Sequence, residues 1–389
     1  PALPPCPQLE AASEQRVERV YTVVLADREL EAVPRWLDRF PALRSLDLSF
    51  NRINRIGAGL KSATASLREL RLGSNAIDST DGLGKLRDLR TLGLQYNHLT
   101  ALGDELSGLR KLQTLRLDSN RLTAPLVGLP TCLVELDVSG NELSSLDGVD
   151  KATSLQTLKA DHNTLTAIMG LAKCKGLTHL DVSHNLLTKL TGLKRCSTLQ
   201  SLNVSSNSLE ALDLPPLPNL EELLAAENRL RSLCTLAPAV PAIEVLDVGG
   251  NADLGGSALA AAVDGLNDLI EITFMEGAMA PPERAALIDA LPGLEVINGQ
   301  PREWYSAAAG ARPTTPGQRP PTASGPRPGT AGGGRPRTAG SATGYRPVVR
   351  PTSAVSSAMQ LQRSHLGSQI TDLSVSTEQA ERSIREGFE

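Results

Sequence analysis

The side chains best suited to metal chemistry in this sequence are histidines and aspartates that cluster near its middle. They are Asp161, His162, His179, Asp181 and His184. Imidazole and carboxylate groups are common ligands of zinc and other transition metals. Two histidines beside aspartates are not a recognised zinc ligand set, and the sequence has no H-E-x-x-H motif, P-loop or glycine-rich dinucleotide loop. We therefore predict no metal site, no cofactor and no enzymatic activity.

The elements that must position these residues follow from a ladder of asparagines. Each asparagine closes a phrase of the form L-x-x-L-x-L-x-x-N, and successive asparagines are 21 to 24 residues apart. The ladder consists of Asn51, Asn75, Asn97, Asn120, Asn141, Asn163, Asn185, Asn207, Asn228 and Asn251. Alternation within the phrase directs its leucines inward and the intervening residues outward. A single repeat of this length cannot bury its apolar face, so the repeats are expected to stack into one solenoid.

The phrase resembles the leucine-rich-repeat signature. Dipeptides such as Gly82-Leu83 and Gly148-Val149 in the second half of each unit are similar to the 22-residue class typified by a protein phosphatase 1 regulatory subunit. Segment 291–301 resembles the C-terminal cap of intracellular members from axonemes and spliceosomes. The resemblance implies an α/β solenoid, a leucine-rich-repeat horseshoe of about twelve units with a parallel concave sheet. It also implies that each ladder asparagine bonds the backbone of the turn after its strand.

Degraded repeats and a change in composition predict the domain boundaries. Val20, Val23 and Leu25 match the apolar positions upstream of the ladder, and Leu269, Ile272 and Phe274 match them downstream. Atypical terminal units are expected because they lack one neighbour. The predicted organisation is an N-terminal extension at 1–15, a solenoid with its C-terminal cap at 16–305, an extended basic tail at 306–356 and a C-terminal segment with a short helix at 357–389.

Cysteine usage indicates a reducing compartment. The chain has five cysteines, an odd number without a C-x-x-C spacing and without the disulfide-rich caps of extracellular repeat proteins. Cys174 and Cys196 occupy equivalent positions and are expected to fill the core. We see no apolar run long enough for a membrane span and no secretory signal. These observations predict a cytoplasmic or cytoskeletal location without membrane contact.

The tail has a charge opposite to that of the solenoid. Residues 1–303 contain 29 basic and 38 acidic residues, whereas ten arginines and five acids follow from Trp304 onward. The tail repeats a unit Arg-Pro-x-Thr-Ala, and proline favours an extended backbone. The candidate filament-binding residues are Arg312, Arg319, Arg327, Arg335, Arg337, Arg346 and Arg350. A soluble linker is the other interpretation of this segment.

Similar Arg-Pro tails resemble those of ciliary and flagellar microtubule proteins, which implies an acidic filament as the partner. Nucleic acid is the rival polyanion. It is the less favoured partner because Tyr305 and Tyr345 are the only aromatic residues near these arginines.

A second set of candidates lies on the repeats themselves. Exposed strand positions alternate in charge, and bulky rings stand just before several ladder asparagines. An exposed row of this kind is suited to contact with another protein. The candidate protein-binding residues are Phe50, Arg71, Tyr96, Arg116, Lys159, His162 and His184.

These patterns favour a non-enzymatic scaffold of the ciliary or flagellar axoneme. The solenoid would bind proteins, and the tail would attach to tubulin in microtubules or to an axonemal complex within a larger assembly. One alternative is a phosphatase-targeting or other regulatory adaptor, and a weaker one is an RNA-processing scaffold. The sequence does not identify the direct partner, the position in an axoneme or the face that binds.

Overall fold

The described residues form one long sheet that follows the chain order. The computed structural model describes residues 19–57, 60, 65–123, 125–233, 236–275, 277 and 279–306. Fourteen strands lie side by side in the order of the sequence. The first thirteen are parallel, and the fourteenth pairs antiparallel with the thirteenth. This open parallel sheet confirms the predicted solenoid.

The strands are short, and almost every repeat contributes three residues. They are β1 Thr22–Val24, β2 Ser45–Asp47, β3 Glu69–Arg71, β4 Thr91–Gly93, β5 Thr114–Arg116, β6 Glu135–Asp137, β7 Thr157–Lys159, β8 His179–Asp181, β9 Ser201–Asn203, β10 Glu222–Leu224, β11 Val245–Asp247, β12 Glu271–Thr273, β13 Val296–Ile297 and β14 Gln300–Pro301. Thirteen parallel strands are one more than the expected count of about twelve units, because the terminal segment after Leu294 also adds a strand.

Short helical turns connect the strands on the other side of the sheet. The 3-10 helices are Arg35–Arg39, Leu83–Lys85, Asp104–Gly108, Val149–Lys151 and Leu193–Arg195, and the α-helices are α1 Leu236–Ala239, α2 Gly256–Val263, α3 Pro281–Ala290 and α4 Glu303–Ser306. The register advances by 26 residues from Leu246 to Ile272 and by 25 from Ile272 to Ile297. These longer units have room for α2 and α3, which the ladder pattern did not predict.

The asparagine ladder holds successive repeats together. The Asn75 side-chain amide donates to the carbonyls of Leu48 at 3.0 Å, Leu72 at 3.0 Å and Gly73 at 3.3 Å. Its Oδ1 accepts from the Ile53 N–H at 3.0 Å. The other ladder asparagines repeat this pattern, and all of them are buried. A buried amide with every group bonded stabilises the stack, as the resemblance implied.

The core is a continuous stack of leucines, and the last repeat closes it. Leu46, Leu70 and the central residues of the following strands have almost no solvent exposure. At the C-terminal end, Asn298 Oδ1 accepts from the Phe274 N–H at 2.8 Å. The Arg302 guanidinium donates to the carbonyls of Ile288 and Pro292 at 2.7 and 3.0 Å. These bonds satisfy carbonyls that have no further repeat to pair with. The domain boundaries stay predictions, because segments 1–15, 307–356 and 357–389 lie outside the described residues.

Candidate protein-binding face

The exposed side of the sheet is a continuous surface that we call the strand face. It consists of the first and third residues of each strand, which flank a buried central residue. Arg71, Arg116 and Lys159 are the third residues of β3, β5 and β7. The structure therefore places all three cationic candidates on this one face, in the outward phase that the repeat pattern predicted.

Acidic neighbours hold these cations in place. The Arg71 guanidinium lies 2.7 Å from the Glu69 carboxylate and 3.9 Å from that of Asp47. Arg116 lies 3.2 Å from Asp118. Burial raises the pKa of the Asp118 carboxyl, the nearby Asp137 charge acts in the same direction, and Arg116 opposes both. Exposed pairs of this kind contribute little stability each. The ion pairs do fix the positions of the two guanidinium groups.

Lys159 sits between two acids of the neighbouring strands. The parallel register aligns its backbone with Asp137 on one side and Asp181 on the other. Asp137 accepts from the Ser139 hydroxyl at 2.7 Å, and Asp181 accepts from the Ser183 hydroxyl at 2.7 Å. In the middle of the strand face, positive and negative charges therefore lie side by side, and the neighbouring hydroxyl groups are hydrogen-bonded. Such a surface is suited to a polar protein partner rather than to a single small anion.

A second row of side chains lies where the chain leaves each strand. Phe50, Tyr96, His162 and His184 immediately precede ladder asparagines and have φ values of 58°, 54°, 52° and 51°. We call these four residues the aromatic row. Phe50 is 65% exposed and Tyr96 is 59% exposed. A left-handed backbone costs roughly 1–2 kcal/mol for a residue that is not glycine.

The turn itself requires this backbone conformation in every repeat. Ser74, Ser119 and Ser206 have the same left-handed φ at the equivalent position, and Gly140 and Gly250 also take it. The Phe50 N–H donates to the Gly73 carbonyl at 2.9 Å, so the backbone is tied to the next repeat. Bulky rings at this position therefore project outward from a rigid backbone. The sequence located the row but did not predict its backbone conformation.

The two histidines of the row contact each other. The rings of His162 and His184 stack with centroids 4.1 Å apart and planes at 21°. His162 Nδ1 lies 2.9 Å from Asp161 Oδ2. Ring-nitrogen lone pairs lie in the ring plane, so two stacked rings do not direct them at one ion. Within the ranges that the structure describes, no group of three or more His, Cys, Asp or Glu side chains is arranged to hold a metal.

A gap that has no strand side chain of its own separates the two arginines of the strand face. β4 lies between β3 and β5, and its third residue is Gly93. The Gln95 side chain lies across this glycine and across Gly73, where an added Cβ would come within 2.6 Å of the Gln95 Nε2. Gln95 Oε1 is buried and has no hydrogen-bond partner among the described residues. Sequence analysis did not identify this gap, although two glycines at outward positions are a readable signal for it.

Comparison with known proteins agrees with this geometry. The leucine-rich repeat family model matches residues 41–99 and 65–122. A leucine-rich-repeat protein of Leptospira interrogans is 25% identical over 73% of this chain and 79% of its own, with a TM-score of 0.59. The described part of the chain therefore has the fold of a leucine-rich-repeat solenoid.

Other solved solenoids share the fold at lower coverage or identity. An internalin of Listeria monocytogenes is 20% identical, covers 75% of this chain and 90% of its own, and has a TM-score of 0.54. A chain of the LRIM1/APL1C complex is 25% identical over 66% of this chain and 48% of its own, with a TM-score of 0.57. No curated protein matches the sequence.

The remaining candidates divide between the solenoid core and the undescribed tail. Cys174 and Cys196 are fully buried free thiols, which confirms the prediction that they fill the core. Burial, assisted by the neighbouring Cys196, raises the pKa of the Cys174 thiol to about 11. The seven candidate filament-binding arginines from Arg312 to Arg350 lie outside the described residues. Among the helices of the described ranges, none is long and apolar enough to cross a membrane.

Proposed function

We propose that this solenoid is a non-enzymatic scaffold that binds other proteins through its strand face and aromatic row. The observation that carries the proposal is the position of Phe50 and Tyr96. Both rings are mostly exposed on a strained, rigid turn, although the chain has only four phenylalanines and four tyrosines. Serine, glycine, glutamate or histidine occupies the same turn in the other repeats, so none of those exposes an apolar ring there. Aromatic anchors beside polar groups are typical of energetically important contact sites.

The spacing of these anchors favours a protein segment over a small molecule. Phe50 and Tyr96 are two repeats apart, which corresponds to about 10 Å at a strand spacing of about 4.8 Å. Ser74 lies between them, and the glycine gap at Gly93 lies beside them on the strand face. A side chain of a partner would fit between the rings.

We further propose that the partner assembly is the ciliary or flagellar axoneme and that the basic tail attaches the chain to its microtubules. The support is the Arg-Pro-x-Thr-Ala repeat and the absence of acidic residues between Glu303 and Asp372. Several arginines on one chain gain avidity from individually weak pairs with carboxylates. The free thiols Cys132, Cys174 and Cys196 fit a reducing compartment.

Localisation of a fluorescently tagged chain in ciliated cells tests this proposal. The full chain should concentrate along the axoneme, and a chain ending at residue 305 should stay in the cell body. A regulatory adaptor that works through its solenoid would keep its location without the tail. Equal axonemal signal from both chains would contradict the role of the tail, and absence of both from cilia would contradict the axonemal assignment.

A further inference from the structure

The residue immediately before each parallel strand belongs to a set that we call the entry row. The row starts at Tyr21 and ends at Glu295. The main-chain N–H of each member donates to the carbonyl of the preceding member at 2.7–2.8 Å, from Arg44 to Tyr21 through to Glu295 to Ile270. These bonds align the row along all thirteen parallel strands. Its members are exposed or half-exposed, so they form one continuous strip along the edge of the sheet.

The two ends of the entry row carry opposite charges. The repeats at the start contribute Arg44, Arg68 and Arg90, and those at the end contribute Glu221, Glu244 and Glu295. The five members between Arg90 and Glu221 are uncharged. The surrounding sequence has the same polarity, since residues 19–122 contain 17 basic and 12 acidic residues, whereas residues 201–303 contain 4 basic and 16 acidic residues.

Like charges on adjacent repeats repel each other unless a partner compensates them. The Arg44 guanidinium lies over the Tyr21 ring at 4.8 Å. Arg68 and Arg90 form no ion pair with any other described residue. The charges of both arginines act on Asp88. Its carboxylate pairs with Lys111, and that hydrogen bond, together with the charges of Lys111 and then of Arg68 and Arg90, lowers the pKa of Asp88.

The glutamates at the other end are equally uncompensated. No cationic side chain of the described residues pairs with Glu221, Glu244 or Glu295. Among the described residues, the same edge of the sheet therefore carries a basic end and an acidic end without ion pairs. An occupant that satisfies both must carry both signs in the reverse order.

We propose that the entry row is the interface of a twofold-symmetric, antiparallel dimer of this chain. A twofold axis near β7 pairs the repeats of the two copies in reverse order. Each repeat of one copy then faces the repeat of its partner that lies equally far from the opposite end of the sheet. Arg68 then faces Glu244, Arg90 faces Glu221, and Gln156 lies close to the axis opposite its own counterpart. A twofold interface requires such self-complementarity, in which each contact occurs twice.

The charge order favours a second copy over the other available occupants. The tail segment 306–356 contains arginines and no acids, so it matches only the glutamate end. An acidic filament matches only the arginine end. A second copy matches both ends at once, and its central glutamines can hydrogen-bond to each other across the axis.

Charge exchange in the full chain tests the interface. At low ionic strength and micromolar concentration, sedimentation equilibrium should give twice the chain mass. The variants Arg68→Glu/Arg90→Glu and Glu221→Arg/Glu244→Arg should each be monomeric. The combined fourfold variant should dimerise again because every pair is restored with its sign reversed. A chain with Arg312, Arg319, Arg327, Arg335 and Arg350 changed to Gln should stay dimeric, and high salt should dissociate the dimer.

A crosslinking measurement checks the position of the axis. Gln156→Cys should crosslink two copies efficiently through a short bismaleimide. The matched control Gln200→Cys should not, because its counterpart lies about four strand spacings, or about 19 Å, away. The native chain gives the background from its own cysteines. Four results would each overturn the proposal. They are a monomeric native chain, dimer formation by both double charge variants, failure of the fourfold variant to dimerise, and loss of the dimer in the tail variant.

Discussion

The imidazole rings of His162 and His184 stack with centroids 4.1 Å apart, although the two residues are 22 positions apart in the sequence. The contact exists because both residues precede a ladder asparagine in adjacent repeats. It shows how closely the turns of the solenoid are stacked. Members of the aromatic row one repeat apart touch, whereas members two repeats apart, such as Phe50 and Tyr96, leave a gap.

We expect truncation of a buried residue in the middle of the ladder to destabilise the solenoid strongly. Leu180 is 2% exposed, and Leu180→Ala should lower the free energy of unfolding by roughly 2–5 kcal/mol. Asn163→Ala should also be destabilising, because it leaves the Leu143 N–H and the Val138 carbonyl without their partner. The exposed Lys189→Ala is the control and should change little. An unchanged thermal midpoint for Leu180→Ala would show that the buried phase is wrong.

Charge reversal on the strand face should weaken partner capture without unfolding the protein. Arg71→Glu with Arg116→Glu places new carboxylates beside Glu69 and Asp118 and reverses the local field. The matched control is Lys151→Glu with Lys194→Glu, which makes the same charge change in the connecting turns. Affinity for axonemal extract proteins should fall at least tenfold only for the first pair. If the control pair has the larger effect, the binding surface lies on the connecting turns instead.

The substitutions Phe50→Gly and Tyr96→Gly should separate the effect of backbone strain on stability from the effect of the rings on binding. Each change relieves a left-handed backbone worth about 1 kcal/mol, so the thermal midpoint should rise or stay level. Loss of both rings should at the same time sharply reduce partner capture. Ser74→Gly is the control, since it relieves the same strain without removing a ring. Full binding by the double glycine variant would exclude the aromatic row as an anchor.

The tail should bind microtubules through charge. Changing Arg312, Arg319, Arg327, Arg335 and Arg350 to Gln should abolish co-sedimentation of the full chain with microtubules at low salt. The same five positions changed to Lys keep the charge and should largely preserve it. Raising the ionic strength should release the native chain. Equal pelleting of the Gln and Lys variants, or a clear preference for RNA in competition, would contradict the microtubule assignment.

Asp247 should make stability depend on pH in a predictable direction. Burial raises the pKa of this carboxyl, and the nearby Glu227 adds to the shift. The folded state therefore holds the proton more tightly than the unfolded state, and the ionised group costs stability above its folded pKa. Asp247→Asn keeps an acceptor for the Gly249 N–H and should raise the free energy of unfolding at neutral pH. The gain should vanish below the ordinary pKa of 3.8, where both states are protonated. Asp264→Asn, which makes the same substitution at an exposed position, is the control.

Most of the fold can be predicted from the repeat phrase, because the residue at each position of the phrase has the same environment in every repeat. Leu46 and Leu48 are both buried because alternate residues of a strand face the same side, and Asn75 requires backbone partners once it is buried. The close approach of Gln95 to Gly73 and Gly93 could not be read in this way, because it joins residues that vary between repeats. Likewise, no repeated pattern indicates that Arg302 closes the final turns. The sequence therefore predicts where the candidate site lies, but not the backbone and side-chain conformations of its residues.

The asparagine ladder has a direction that bears on how the protein is made. The side chain of every ladder asparagine bonds only to residues that precede it, as Asn51 does to Leu25 and Leu30, and Asn251 to Ala225 and Leu230. On a ribosome, each repeat would have all its ladder partners as soon as its own asparagine emerges, without waiting for any later residue. The solenoid can thus fold one repeat at a time as the chain is synthesised. In an incomplete chain, only the most recent repeat has an apolar face without a neighbour.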